Sequence, residues 1–129
     1  MEIKETVQKA VKILDEKLAE NIVVIDISKV SVIGDYFVIA TGKNVNHVRA
    51  LSDYVSEGLA KDHIHEKQIE GYENAGWILM DYSDFIIHLF DHENREYCDL
   101  ERIWRDADFF TAEEFLKYMI YFVKQFIYV

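Results

Sequence analysis

The chain has 129 residues, of which half are apolar and 14% aromatic, and it carries a net charge of -10. That length suits one domain with a core that buries about two thirds of the unfolded surface, and the balance of apolar and charged residues excludes a disordered chain. So acidic a surface repels phosphate backbones, which excludes nucleic-acid binding through a broad basic patch and leaves a basic protein partner or plain solubility as its meaning.

The charge is uneven: residues 81–108 hold 9 acids and 3 bases, whereas 109–129 hold 2 of each. There is no proline, no Gly/Ser-rich linker and no internal repeat. The lone Cys98 excludes an internal disulfide, and Met1 to Glu5 lack the apolar core of a signal peptide, so a cytoplasmic chain is expected.

Ile3, Val7, Ala10, Leu14 and Leu18 recur at helical spacing and predict a helix over 2–20, with Asn21 as its stop. Residues 22–27 are β-branched and almost wholly apolar, which suits a strand covered on both faces. After a connection over 29–34, Tyr36 to Thr41 form a second buried strand that Gly42-Lys43-Asn44 breaks. A helix follows over about 45–62, with Val48, Leu51, Val55 and Leu59 inward and Asn44 or Asn46 as cap.

Residues 67–70 form a short strand and 71–76 a turn. Trp77–Asp81 and Asp84–Phe90 are then two strands so close in sequence that they make an antiparallel hairpin. Asp99 caps a short helix with Leu100, Ile103 and Trp104 on one side. The order predicts an α/β fold: a single small domain with a mixed β-sheet of about five strands flanked by helices. The short first connection makes the first two strands antiparallel, and the helix over 45–62 brings a later strand parallel to its neighbour.

The division falls at 108/109: residues 1–108 make the α/β domain and 109–129 a C-terminal amphipathic helix. Thr111 and Glu114 fit a capping box. Phe115, Leu116, Met119, Ile120, Phe122, Val123, Phe126 and Ile127 form a broad apolar face. Such a face packs on its own domain or on a second copy, with attachment to a membrane surface as the sharper alternative.

Chemistry finds little purchase. His63 with His65, or His88 with His92 and Cys98, offers zinc donors at no dedicated spacing. Asp81 and Asp84 are three apart across a turn, whereas two carboxylates aimed at one ion from one strand face need a spacing of two. There is no P-loop and no Gly-x-Ser-x-Gly, and Cys98 between Tyr97 and Asp99 lacks the electropositive setting of a thiolate. No catalytic residue, metal or cofactor is assigned. The aromatic residues Tyr72, Trp77, Tyr82, Tyr97 and Trp104 are the more informative group, since aromatics dominate cores and interface anchors alike. Trp77 suits core and partner contact equally; Trp104 suits the core.

Several blocks together carry a resemblance over about residues 3–106. They are Asp35-Tyr36-Phe37-Val38-Ile39-Ala40-Thr41-Gly42, Glu70-Gly71, Trp77 to Asp81, Asp84 to His88, Arg95-Glu96-Tyr97, and Leu100-Glu101-Arg102-Ile103-Trp104. In this order and spacing they resemble the ribosomal silencing factor, or Iojap-like, family. The resemblance implies a nucleotidyltransferase-like domain without its catalytic carboxylates, and a protein that binds the fourteenth large-subunit ribosomal protein and sterically blocks small-subunit joining. It also implies a homodimer when free. From motif positions and expected exposure, Trp77, Met80 and Tyr82 are the expected contact anchors, with Glu70, Asp81 and Asp84 as acids facing a basic partner. A nucleotide-binding, nucleotidyltransferase-like protein is the alternative.

Overall fold

The computed structural model describes residues 2–97, 102 and 105–116. The elements in chain order are α1 (Ile3–Glu16), β1 (Glu20–Asp26), β2 (Tyr36–Thr41), α2 (Val45–Ala60), β3 (Gln68–Glu70), β4 (Trp77–Asp81), β5 (Phe85–Phe90), α3 (His92–Tyr97) and β6 (Asp108–Thr111). They form one mixed sheet of six strands in the order β3-β4-β5-β2-β1-β6.

Strand direction follows from the connections. The short link makes β1 and β2 antiparallel, while α2 carries the chain back so that β5 lies parallel to β2, Tyr36 opposite Phe85 and Thr41 opposite Phe90. The β4–β5 hairpin is antiparallel, with Trp77 opposite Phe90 and Asp81 opposite Ile86. Burial follows position in the sheet. Central β2 buries every residue from Phe37 to Thr41, and its sequence accordingly shows no alternation. Nearer the edge, β4 alternates: Ile78 and Met80 are buried, while Trp77 is exposed.

Both long helices lie on one face. Val7, Ala10, Val11 and Leu14 of α1 and Val48, Leu51, Val55 and Leu59 of α2 are fully buried against Val24, Val38, Ala40, Ile78, Met80, Ile87 and Leu89. Each buried Val, Leu, Ile or Met among them contributes about 1.5–3 kcal/mol relative to exposure. The opposite face carries a smaller cluster of Ile25, Ile27, Phe37, Ile39 and Phe90.

Three expectations are corrected. Helix α1 ends at Glu16 rather than 20, because Leu18 takes a φ of 67° and Ala19 N–H bonds back to the Leu14 carbonyl. Leu18 is therefore exposed rather than part of the inward stripe. Asn21 (φ 49°) does not stop the helix but sits in the irregularity where the β1–β2 register shifts between Glu20 and Val23.

The second helix is capped by Asn44, whose Oδ1 accepts from His47 N–H at 2.8 Å, and it ends at Ala60. Two elements were not expected, α3 and β6. Strand β6 pairs along β1 from Asp26–Asp108 to Val23–Thr111, so residues 108–111 add a sixth strand to the sheet before the helix that Thr111 caps. The Thr111–Glu114 box does form, with Thr111 Oγ1 accepting from Glu114 N–H at 3.1 Å and Glu114 Oε1 from Thr111 N–H at 3.2 Å. The helix it opens buries Phe115 in the main core. The expected helix at Leu100–Trp104 and the apolar face beyond Leu116 lie outside the described residues, Arg102 apart.

Candidate functional site

Side chains alternate along a strand, so one parity of β4 and β3 faces away from the helices. With the observed register this face carries Trp77, Leu79 and Asp81 of β4, Gln68 and Glu70 of β3, and Ile86 and His88 of β5. Trp77, at the start of β4, is its exposed aromatic residue. Its indole stacks on Phe90 with ring centroids 5.3 Å apart, yet the residue remains 43% exposed. Its Nε1–H donates to His88 Nδ1 at 3.1 Å. An exposed aromatic plate with a fixed orientation loses little rotamer freedom when something docks on it.

His88 is what fixes the plate. Its ring is buried, 5.1 Å edge-on from Phe37, and its Nδ1 must be unprotonated to accept from the indole. Burial, and secondly the Arg95 guanidinium nearby, push its pKa down to about 4, so the ring is neutral at pH 7.

The turn before Trp77 is clamped from α2. Arg49 Nε donates to the Tyr72 carbonyl at 3.2 Å and Nη2 to the Glu73 carbonyl at 2.7 Å. The Tyr72 hydroxyl returns to Asp53 at 3.0 Å. Gly71 sits at φ 81°, and a Cβ there would overlap the Trp77 carbonyl oxygen. Only glycine satisfies both the positive φ and the close approach.

Of the six expected contact residues, the structure brings Glu70, Trp77 and Asp81 to one face. Asp84 is exposed in the β4–β5 turn, where its carbonyl accepts from Asp35 N–H at 2.7 Å. Met80 and Tyr82 are corrected. Met80 has no exposed surface and belongs to the core under the helices. Tyr82 is also buried, stacked on Phe85 at 4.8 Å with its hydroxyl donating to Glu66 at 3.2 Å. Desolvation, then the Glu66 charge and that hydrogen bond, raise its pKa. Neither offers a side chain to a partner. Half-buried Leu79 and Ile86 share the face instead. Alternation could have found Leu79 from its parity with Trp77, but the His88 bond needs the cross-strand register.

The candidate chemical residues that are described take other roles, and Cys98 lies outside the described residues. Asp81 Oδ1 accepts from Ser83 N–H at 2.8 Å and shapes the turn. His92 Nε2 lies 3.0 Å from Glu20 Oε2. Among the described residues no group of three or more His, Cys, Asp and Glu is placed to hold a metal ion, and no helix is long and apolar enough to cross a membrane.

A mixed sheet of six strands with two long helices on one face and Trp77 exposed on the other defines a small α/β domain. Comparison with known proteins gives that domain a family. The model for ribosomal silencing factor during starvation matches residues 1–119. A ribosomal silencing factor of Halalkalibacterium halodurans is 36% identical over 107 residues, covering 83% of this chain and 92% of that protein. The mouse mitochondrial assembly of ribosomal large subunit protein 1 is 33% identical over 101 residues, covering 73% of this chain and 42% of that protein. A crystal structure of a Chromobacterium violaceum protein superposes with a TM-score of 0.78 at 30% identity, covering 81% of this chain and 87% of that one. The chain belongs to the ribosomal silencing factor family.

Proposed function

We propose that this protein represses translation by binding the large ribosomal subunit in the cytoplasm, through the fourteenth large-subunit protein, and occupying space that the small subunit needs. The observation that carries the reading is Trp77, half out of the fold yet locked by His88, with Glu70 and Asp81 on the same face. A rigid aromatic anchor that shares its sheet face with carboxylates suits a basic protein surface, the anchor supplying affinity and the charge steering the encounter. Asp84 adds charge at the adjoining turn. No turnover is required. The free chain pairs with itself as a homodimer.

The experiment is sedimentation with purified large subunits, small subunits and intact ribosomes. The protein is expected to travel with large subunits and not small ones, and, added first, to lower the yield of joined ribosomes. Equal joining with and without a saturating amount overturns the proposal.

A further inference from the structure

Helix α3 follows β5 directly, and its first turn lies against the backbone that leads into Trp77. Asp91 N–H donates to the Gly76 carbonyl at 3.1 Å, which carries the β4–β5 ladder one residue beyond the Trp77–Phe90 pair. The Asp91 carboxylate turns toward α3. Its Oδ1 accepts from Asn94 N–H at 2.8 Å and from Asn94 Nδ2 at 2.9 Å. Capping the helix needs only the first of these bonds. The second fixes the rotamer of the Asn94 side chain.

Gly76 shows what that rotamer occupies. A Cβ there would lie 2.7 Å from Asn94 Nδ2 and 3.6 Å from Asn94 Cγ, with Asp91 Oδ2 next at 3.7 Å. The nearest obstacle is thus a single side-chain amide, whereas at Gly71 it is the Trp77 backbone. Half-buried Asn94 takes the place of a side chain over the residue just before Trp77. The start of β4 is therefore gripped from two elements. Arg49 of α2 holds the Tyr72 and Glu73 carbonyls, and Asp91 with Asn94 holds Gly76. The neighbouring Arg95 reaches the same place, since its charge acts on His88, the acceptor of the indole N–H.

We propose that Asn94 is a positioning residue for Trp77: by holding Asp91 and filling the space over Gly76, it sets where the indole is offered to a partner. The proposal rests on Trp77 being the contact anchor. Asn94 acts through the backbone at Gly76, so displacing its amide moves the start of β4 and the indole with it.

A double-mutant cycle of Gly76→Ala and Asn94→Ala in the full chain tests it. Each variant is read by the indole Nε1–H resonance of Trp77 in the free protein, assigned by its loss in Trp77→Phe, and by the large-subunit affinity of the folded protein. Either single change is expected to shift the resonance and to weaken affinity about two- to tenfold, the size of one lost hydrogen bond. In the double variant the new methyl enters space that the amide has left, so the loss should be no larger than for Asn94→Ala alone. Losses that add overturn the proposal. So do a resonance and an affinity that keep their wild-type values while only the melting temperature falls, because Asn94 then does no more than cap α3. Should Gly76→Ala not fold, Asn94→Ala carries both readouts. A wild-type chain that does not bind large subunits removes the anchor reading, and the resonance then decides the role of Asn94 by itself: a shift in Asn94→Ala supports it, and an unmoved signal overturns it.

Discussion

The indole N–H of Trp77 donates to Nδ1 of His88 across two neighbouring strands, so the exposed plate of the candidate contact face depends on the protonation of a buried base. Because the folded-state pKa of about 4 lies below the unfolded 6.5, only the unfolded chain takes up the proton between those values. Stability attributable to His88 is therefore full above about pH 6.5 and falls as pH drops toward 4, by at most about 3 kcal/mol. Melting temperatures of wild type and His88→Gln from pH 4 to 8 should differ in slope only within that window. A histidine resonance of residue 88 titrating near 6.5 would contradict this.

Trp77→Ala should separate binding from folding. The residue stacks on Phe90 but is 43% exposed, so its removal should cost the fold about 1 kcal/mol, well below the 3–5 kcal/mol of a buried aromatic. As an interface anchor it should cost about 2–4 kcal/mol of large-subunit affinity. A melting curve and a binding isotherm on the same variant check both. A large stability loss with unchanged affinity in the folded fraction sinks the anchor role.

Legibility followed the kind of signal. The hairpin, the antiparallel first pair, the parallel return after α2 and the Thr111–Glu114 box were readable because connection length and capping chemistry are local. Strand β6 was not, since Asp108 to Thr111 look unremarkable alone and become a strand only by lying against β1. Likewise Met80 reads as an anchor three residues from Trp77, but an odd separation along β4 puts the two on opposite faces, and Met80 falls on the buried one. The family resemblance stated from the same blocks stands, while contact residues needed the register.

Gly71→Ala tests whether the turn sets the plate. The substitution meets both a φ of 81° and the Trp77 carbonyl, so the backbone at the start of β4 must shift. A strained left-handed residue alone costs about 1–3 kcal/mol. The expected result is a lower melting temperature together with weaker large-subunit binding, because the displaced strand carries Trp77. Arg49→Ala, which frees the Tyr72 and Glu73 carbonyls, should weaken binding in the same direction by a smaller amount.

Residues 112–116, which follow β6, should prove to stabilise the fold. Phe115 is buried among core residues, touches Tyr36 and Phe110 rings, and offers its carbonyl to buried Gln8. Deleting 111–129 removes that side chain, leaves the Gln8 amide without its acceptor and strips Thr111 from its pairing with Val23. A buried donor without a partner costs about 1–3 kcal/mol and loss of the aromatic about 3–5 kcal/mol. Phe115→Ala, which keeps the backbone carbonyl, should show mainly the second loss, and the deletion should be the less stable of the two. Urea unfolding of both variants, with the oligomeric state followed alongside, decides it. A truncated chain that melts and assembles like the full one, while only the full one binds liposomes, would give the segment to the membrane surface instead of the core.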